Sequence, residues 1–353
     1  MAAMRQAIEL AGRALGMTSP NPIVGAVVLD EHGDVAGEGY HRGPGTAHAE
    51  VVALAAAGAR AQGGTIVVSL EPCNHFGRTG PCSAAILSAG VRRVVYATDD
   101  PHPLAGGGGR VLREAGLDVE SGVLEEESIR ANEAWLHATR TGRPFVSWKY
   151  AATLDGRVAA ADGSSRWITG VDARRDVHRL RAECDAVLVG VGTVLADDPQ
   201  LTVRDDDDRL LERQPLRVVA DSQARTPVDA KVVDGSARTL VVTTANAPAE
   251  RIAGLRQAGA RVEVVAGAER VDVKALLRFL GELEVTHVLL EGGPELVGSF
   301  VAEQLVDRVV GYVAPALLGG APSMDAIWRL RLDDVAQIGG DLRVTARPVR
   351  DGR

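Results

Sequence analysis

The chain has 353 residues, 46% hydrophobic but only 3% aromatic, and its 47 acidic against 39 basic side chains leave a net charge of -8. That length favours two domains with cores of Val, Leu, Ile and Ala, and the acidic balance argues against nucleic acid as a partner, since phosphate backbones need clustered Lys and Arg. Three cysteines make no disulfide framework, no apolar run nears the roughly 20 residues of a membrane span, and the N-terminus lacks a signal-peptide core, so a soluble cytoplasmic protein is expected.

Taken in order, Met4, Ile8, Ala11 and Leu15 share one helical face, and the run from Thr18 to Pro22 stops that helix. Residues 23–29 and 35–40 read as strands joined by the turn Asp30-Glu31-His32-Gly33, a hairpin. His48 opens a helix running to about residue 61. Residues 65–70 form a buried strand, Pro81-Cys82 starts the next helix, and residues 91–97 continue the strand-helix alternation. The glycine run 106–109 reads as a flexible loop and residues 125–137 as a closing helix. Thr141-Gly142-Arg143-Pro144 then breaks the pattern, which divides the chain into residues 1–142 and 143–353.

Two short stretches in the first part belong together: His48-Ala49-Glu50, and the loop from Glu71 to Cys82. His48, Cys73 and Cys82 supply one imidazole and two thiols, the three-ligand set of a catalytic zinc site that leaves its fourth position for water. Glu50 lies two residues after His48 and can serve as general acid and base without ligating the metal. Cys82 at a helix start gains a dipole that favours the thiolate. Other readings stay open: buried small cysteines, or a structural zinc closed by His75.

His-x-Glu followed by Pro-Cys and a second Cys resembles the zinc deaminases, whose glutamate shuttles protons while the ring carbon bearing the amino group is attacked. Eight residues rather than two separate Cys73 from Cys82, and this insert, Pro-Cys-Asn-His-Phe-Gly-Arg-Thr-Gly-Pro-Cys, is similar to that of the bifunctional riboflavin-biosynthesis deaminase-reductases. The resemblance implies an N-terminal cytidine-deaminase-like three-layer α/β domain, with Asn21 and His41 near the pyrimidine and His75 and Arg78 making polar or phosphate contacts. Two positions depart from the family pattern, Gly80 in place of a second proline and Ala47 before His48; neither removes a ligand.

In the second part no Gly-x-Gly-x-x-Gly follows a strand, so a Rossmann-type fingerprint is absent. Asp172 is a candidate cap for a helix over residues 173–183. Residues 186–190, 216–219, 240–243, 262–265 and 288–290 read as strands, with helices near 251–258 and 273–283, giving one wound sheet and a late strand at 308–313. Cys184 reads as core without a ligand partner, and Asp205 to Asp208 as a solvated loop.

This part resembles the reductase half of the same enzymes, which implies a dihydrofolate-reductase-like α/β domain using NADPH. Carried over by position, Ala151, Trp167, Thr193, Asp197 and Ser222 are NADP contacts. Gly292 and Gly293 have independent sense, because glycines at a helix start let backbone amides approach a phosphate. Ser165, Arg181, Leu201, Arg204 and Glu291 are the implied substrate contacts, and the arginines suit a ribose phosphate. By pattern alone Arg181 is equally a solvated helix residue and Trp167 ordinary core. Lys149 and Asp197 are candidates for catalytic roles near the hydride.

The expected function is therefore zinc-dependent deamination of a phosphorylated diaminopyrimidine, then NADPH reduction of its ribosyl group to ribityl, in a homo-oligomer with a dimer favoured. Two alternatives stand beside it: a zinc deaminase of another pyrimidine or nucleoside with a non-catalytic nucleotide-binding second domain, and a non-enzymatic protein with a structural zinc.

Overall fold

A computed structural model describes residues 1–76, 80–158, 168–267, 269–316 and 330–349. The chain divides into two compact units, Met1–Arg143 and Pro144–Arg353. In the first, strands β1 (Gly25–Leu29), β2 (Val35–Tyr40), β3 (Thr65–Val68), β4 (Arg93–Tyr96) and β5 (Asp118–Ser121) form one sheet in the order β2-β1-β3-β4-β5. The β1–β2 hairpin expected from the turn is present and antiparallel; β1 also runs antiparallel to β3, and β3, β4 and β5 are parallel.

Period-two alternation divides the sheet between two helical layers. Val27, Val67 and Val95 face α1 (Ala2–Gly12) with Met4, Ala7 and Leu10. Their neighbours Ala26, Val28, Ile66, Val68 and Val94 face the opposite layer of α2 (Ala49–Ala57), α3 (Cys82–Ser88) and α4 (Gly108–Glu114). Helix α2 lies almost on the backbone of β2: a Cβ at Gly39 would sit 2.5 Å from the Ala49 carbonyl oxygen. Only glycine permits that approach, which fixes where α2 begins and hence where His48 stands.

Residues 125–137, read as one helix, are two, α5 (Glu125–Ala131) and α6 (Glu133–Thr141). The break falls at Asn132, whose buried amide accepts from Ile23 N at 2.9 Å and donates to Ile23 O at 2.7 Å.

Among the described residues the second unit carries nine strands, β6 (Phe145–Thr153), β7 (Ala186–Gly190), β8 (Leu216–Ala220), β9 (Thr239–Thr243), β10 (Arg261–Val264), β11 (His287–Leu290), β12 (Arg308–Ala314), β13 (Leu330–Ile338) and β14 (Asp341–Pro348). Their order is β10-β9-β8-β7-β11-β6-β12-β14-β13. Seven are parallel, as a wound sheet requires, but β14 and β13 add an antiparallel hairpin at one edge that the sequence pattern did not announce. Both faces of the parallel part are buried. Leu188, Val218, Leu240 and Leu276 pack on one side; Val187, Val189, Val219 and Val241 pack on the other.

Helices α7 (Val171–Glu183), α8 (Val191–Asp197), α9 (Ala249–Gln257), α10 (Val273–Glu282) and α11 (Pro294–Ala302) connect the strands. Helix α7 starts two residues earlier than expected, because Gly170 rather than Asp172 occupies its N-cap; Asp172 lies in the first turn and pairs with Arg175 at 3.4 Å.

Candidate metal centre and a second polar site

His48 is the N-cap residue of α2 and Cys82 the first residue of α3, so two helix starts bring their ligand atoms to one place. Cys73 arrives on the loop after β3. His48 Nδ1 lies 3.5 Å from Cys73 Sγ and 3.3 Å from Cys82 Sγ. A tetrahedron with Zn–N near 2.1 Å and Zn–S near 2.3 Å has N···S edges of about 3.6 Å, so these atoms fit zinc without rearrangement. Among the described residues the cluster comprises these three, and His75 is not part of it. The closed four-ligand site that His75 would have made is therefore not formed.

The thiols behave as a pair sharing one proton. Hydrogen bonding from the Cys82 thiol, the His48 ring and the Cys82 backbone N–H overcomes burial and brings Cys73 down to about 4, while the Cys82 thiol is pushed well up. One thiolate is thus ready for a metal. Glu50, 3% exposed on the first turn of α2, is pushed up to about 7 by burial first and by the charge of Cys73 second. A carboxyl poised near neutrality beside a metal site can both take and give a proton.

The structure brings Asn21 and His41 together beside this centre. Asn21 Nδ2 lies 3.1 Å from His41 Nε2, and the His41 ring meets His48 edge-on with centroids 5.4 Å apart. His41 Nδ1 is 3.2 Å from the Ala47 carbonyl, which can only accept, so Nδ1 carries the hydrogen and Nε2 accepts from Asn21. Burial lowers the His41 pKa and keeps the ring neutral. His75 presents a buried Nδ1 that has no hydrogen-bond partner among the described residues, and Arg78 lies outside them.

Sequence reasoning missed what fixes the cysteine loop. Glu71, 8% exposed, accepts from Gly109 N at 2.9 Å and Asp100 N at 3.2 Å. Asn74 takes the Ser83 hydroxyl at 2.7 Å and donates its backbone N–H to Ala105 O. The glycine run expected as a flexible loop instead packs hard against the metal loop: Gly108 and Gly109 open α4 buried, and a Cβ at Gly108 would sit 1.8 Å from Pro72 O. Gly108 must be glycine because the chain there passes against the backbone of Pro72, the residue before Cys73. A buried glutamate at a strand end beside a ligand motif was the one available signal.

A second polar cluster sits in the other unit. Glu291, just after β11, accepts Arg181 of α7 bidentately, with Nε–Oε1 2.6 Å and Nη2–Oε2 3.0 Å, and lies 3.9 Å from Lys149 Nζ of β6. Burial pulls Glu291 up, but Arg181 and Lys149 hold it at about 2, and burial lowers the Lys149 pKa against the pull of Glu291. Arg181 Nη1 and His178 Nδ1 both reach Thr202 O, at 3.1 and 3.0 Å. Most of the Arg181 fork, read from the sequence as free for a phosphate, is thus engaged within the protein. Leu201 is buried beside this cluster with φ +56°, and Arg204 closes the segment.

Gly293 is the N-cap residue of α11, followed by Pro294, and a Cβ there would lie 3.6 Å from Thr193 Oγ1, so the glycine turn and Thr193 of α8 border one space. Ala151 lies on β6 opposite Tyr312, and Asp197 ends α8. Ser222 follows β8 with its hydroxyl accepting from Val271 N at 3.0 Å. Ser165 and Trp167 lie outside the described residues. Cys184 is buried as expected but has a neighbour the sequence did not suggest, His287, whose ring nitrogens lie 3.5 and 3.7 Å from its sulfur.

Two family models match the chain: the cytidine and deoxycytidylate deaminase zinc-binding region over residues 1–98, and the RibD C-terminal domain over residues 144–344. The riboflavin biosynthesis protein RibD of Aquifex aeolicus is 43% identical over 350 residues, 96% of each chain. Among solved structures, Acinetobacter baumannii RibD is 40% identical with a TM-score of 0.88, covering 99% of this chain and 98% of its own. The Thermotoga maritima diaminohydroxyphosphoribosylaminopyrimidine deaminase/5-amino-6-(5-phosphoribosylamino)uracil reductase is 34% identical with a TM-score of 0.87 at the same coverage.

Proposed function

The chain belongs to the RibD family, the bifunctional deaminase and reductase of riboflavin biosynthesis that works with zinc and NADPH, and from that premise we propose how its own residues divide the work. Its fold is accordingly a cytidine-deaminase-like unit followed by a dihydrofolate-reductase-like one.

In the first unit His48, Cys73 and Cys82 would hold zinc, which when bound would supply the Lewis acidity that makes water a nucleophile near neutral pH. The substrate is 2,5-diamino-6-(phosphoribosylamino)pyrimidin-4-one, and the bond broken is that between the ring carbon and its 2-amino group. Glu50 takes the proton released by the attacking water and delivers it to the departing ammonia. Neutral His41 and Asn21 orient the pyrimidine edge, and His75 offers as a further polar contact the Nδ1 that has no hydrogen-bond partner among the described residues. Arg78 completes the polar set on the cysteine loop.

In the second unit a bound NADPH would be the hydride source for the ribosyl carbon, and the ring oxygen that leaves that carbon must gain a proton. Lys149 is the protein's proton-bearing group there, held by Glu291, while Asp197, Thr193, Ala151, Trp167, Ser222 and the Gly292-Gly293 turn bind the cofactor. Arg204, Ser165, Leu201, Arg181 and Glu291 are the residues we assign to contact the substrate. We divide the domains between residues 142 and 143, one residue before the two compact units part.

We place the enzyme in the cytoplasm, since the metal centre needs two reduced thiols and Cys73 and Cys82 are both free. Among the described residues no helix is long and apolar enough to cross a membrane. A homodimer is favoured by β13, an edge strand that leaves Leu330, Leu332 and Val335 exposed to a second copy.

The observation that carries the reading is Glu50, buried beside the three ligand atoms with its pKa raised to about 7. Glu50→Gln should keep zinc and lose ammonia release by at least a hundredfold while reduction of already deaminated substrate continues. Ammonia release at the wild-type rate would refute the role.

A further inference from the structure

The segment 200–204 is tethered by hydrogen bonds at Gln200, Thr202, Val203 and Arg204. Gln200 O accepts from Arg217 Nη1 at 3.2 Å, and Thr202 O takes Arg181 and His178. Val203 is bound through both N–H and C=O by the Gln214 amide, at 2.7 and 2.9 Å. Arg204 donates Nη2 to Gln200 Oε1 at 2.7 Å and Nη1 to Asp208 O at 2.6 Å.

Gln200 is the link between Arg204 and the interior. Its Nε2 donates to Asp234 Oδ2 at 2.7 Å, and Asp234 Oδ1 accepts from Arg217 Nη1 at 2.9 Å. Arg217 is fully buried; its Nη1 also lies within reach of the Lys231 carbonyl, its Nε donates to Thr239 Oγ1 and its Nη2 to the Ala237 carbonyl. Partial burial opposes ionisation of Asp234, but hydrogen bonds from Ser236, Gln200 and Arg217 hold its carboxyl well below the usual carboxylate range. Asp234 can therefore only accept. Gln200 must turn its NH2 toward it, which leaves Oε1 facing Arg204 and fixes the sense of the amide. A guanidinium held on one side keeps its remaining N–H groups aimed in one direction, and a pre-aimed fork loses less freedom when it meets an anion.

We propose that Gln200 is a positioning residue of the reductase site, holding Arg204 in the orientation that receives the substrate's ribose phosphate, with the buried Arg217–Asp234 pair as its anchor. The inference rests on the reading of Arg204 as a phosphate contact. Gln200 would act through its hydrogen bond to Arg204 rather than on the reacting groups.

The experiment uses the full chain with NADPH and compares deaminated substrate with its dephosphorylated analogue, in wild type, Arg204→Gln and Gln200→Met. Methionine keeps the volume of glutamine and removes both hydrogen bonds. Gln200→Met should raise KM for the phosphorylated substrate about tenfold, the usual weight of a hydrogen bond to a charged group. It should leave kcat, the KM for NADPH and the KM for the dephosphorylated analogue unchanged. Inhibition by ribose 5-phosphate should weaken by the same factor, a readout that needs no turnover.

If Arg204→Gln erases the preference for the phosphorylated substrate and Gln200→Met does not, the positioning role is overturned. If Arg204→Gln leaves that preference intact, the phosphate reading of Arg204 falls and the inference with it. An equal rise in both KM values, or a fall in kcat, would make Gln200 a general structural residue and also overturn the proposal.

Discussion

Gly108→Ala tests whether the glycine run positions the metal. The added Cβ would lie 1.8 Å from Pro72 O and 2.9 Å from its carbonyl carbon, where ordinary contact begins near 3.4 Å. Relief requires a shift of about 1.6 Å, and the obstacle is backbone one residue before a zinc ligand, not a flexible side chain. Metal–ligand distances tolerate only about 0.2 Å. Overpacking of this kind costs about 1–3 kcal/mol of stability, and displaced support around a ligand lowers metal affinity by about 10- to 100-fold. Zinc affinity would be measured by chelator competition, ammonia release alongside it, and reduction of deaminated substrate as the internal control. Gly12→Ala, where nothing lies within 4 Å of the new atom, should be silent. Wild-type zinc affinity and ammonia release in Gly108→Ala would show that the close approach plays no part in the site.

Glu291→Gln leaves Arg181 and Lys149 without their shared carboxylate in a nearly buried setting, where breaking such a pair costs about 3–5 kcal/mol. Reduction should fall at least tenfold with deamination unchanged, and equal loss of both activities would contradict the assignment. Burial pulls His287 down to about 4 from 6.5, so the unfolded chain binds the proton first as pH falls. The stability its neutral ring contributes, about 3 kcal/mol, is complete above pH 6.5 and lost progressively toward pH 4, about 2 kcal/mol of it by pH 5. Denaturant midpoints at pH 7 and 5 should differ less in His287→Gln than in wild type, and an identical pH dependence would remove His287 from the account.

The cluster of His48, Cys73 and Cys82 was legible because zinc chemistry needs a few residue types at short spacing, and these three lie within 35 positions of one another. The β1–β2 hairpin was legible from its turn. What escaped is tertiary. Nothing near Gly108 in sequence reveals that Pro72 will lie against it, and nothing near Asn132 reveals that Ile23 will take its amide and split a helix. Arg181 looked like one of several helix arginines until Glu291, 110 positions away, engaged its fork. Strands β13 and β14 hid because an edge hairpin buries little. Leu332 and Val335 are exposed, so no apolar alternation marks them.

The most direct test supplies the zinc-loaded protein with the diaminopyrimidine phosphate, with and without NADPH, and identifies the products by mass. The account predicts deaminated product alone without NADPH, and deaminated product carrying two further hydrogens with it. Zinc-bound, folded protein that releases no ammonia from this substrate would contradict the central assignment, and deamination without any NADPH-dependent product would contradict the second half of it.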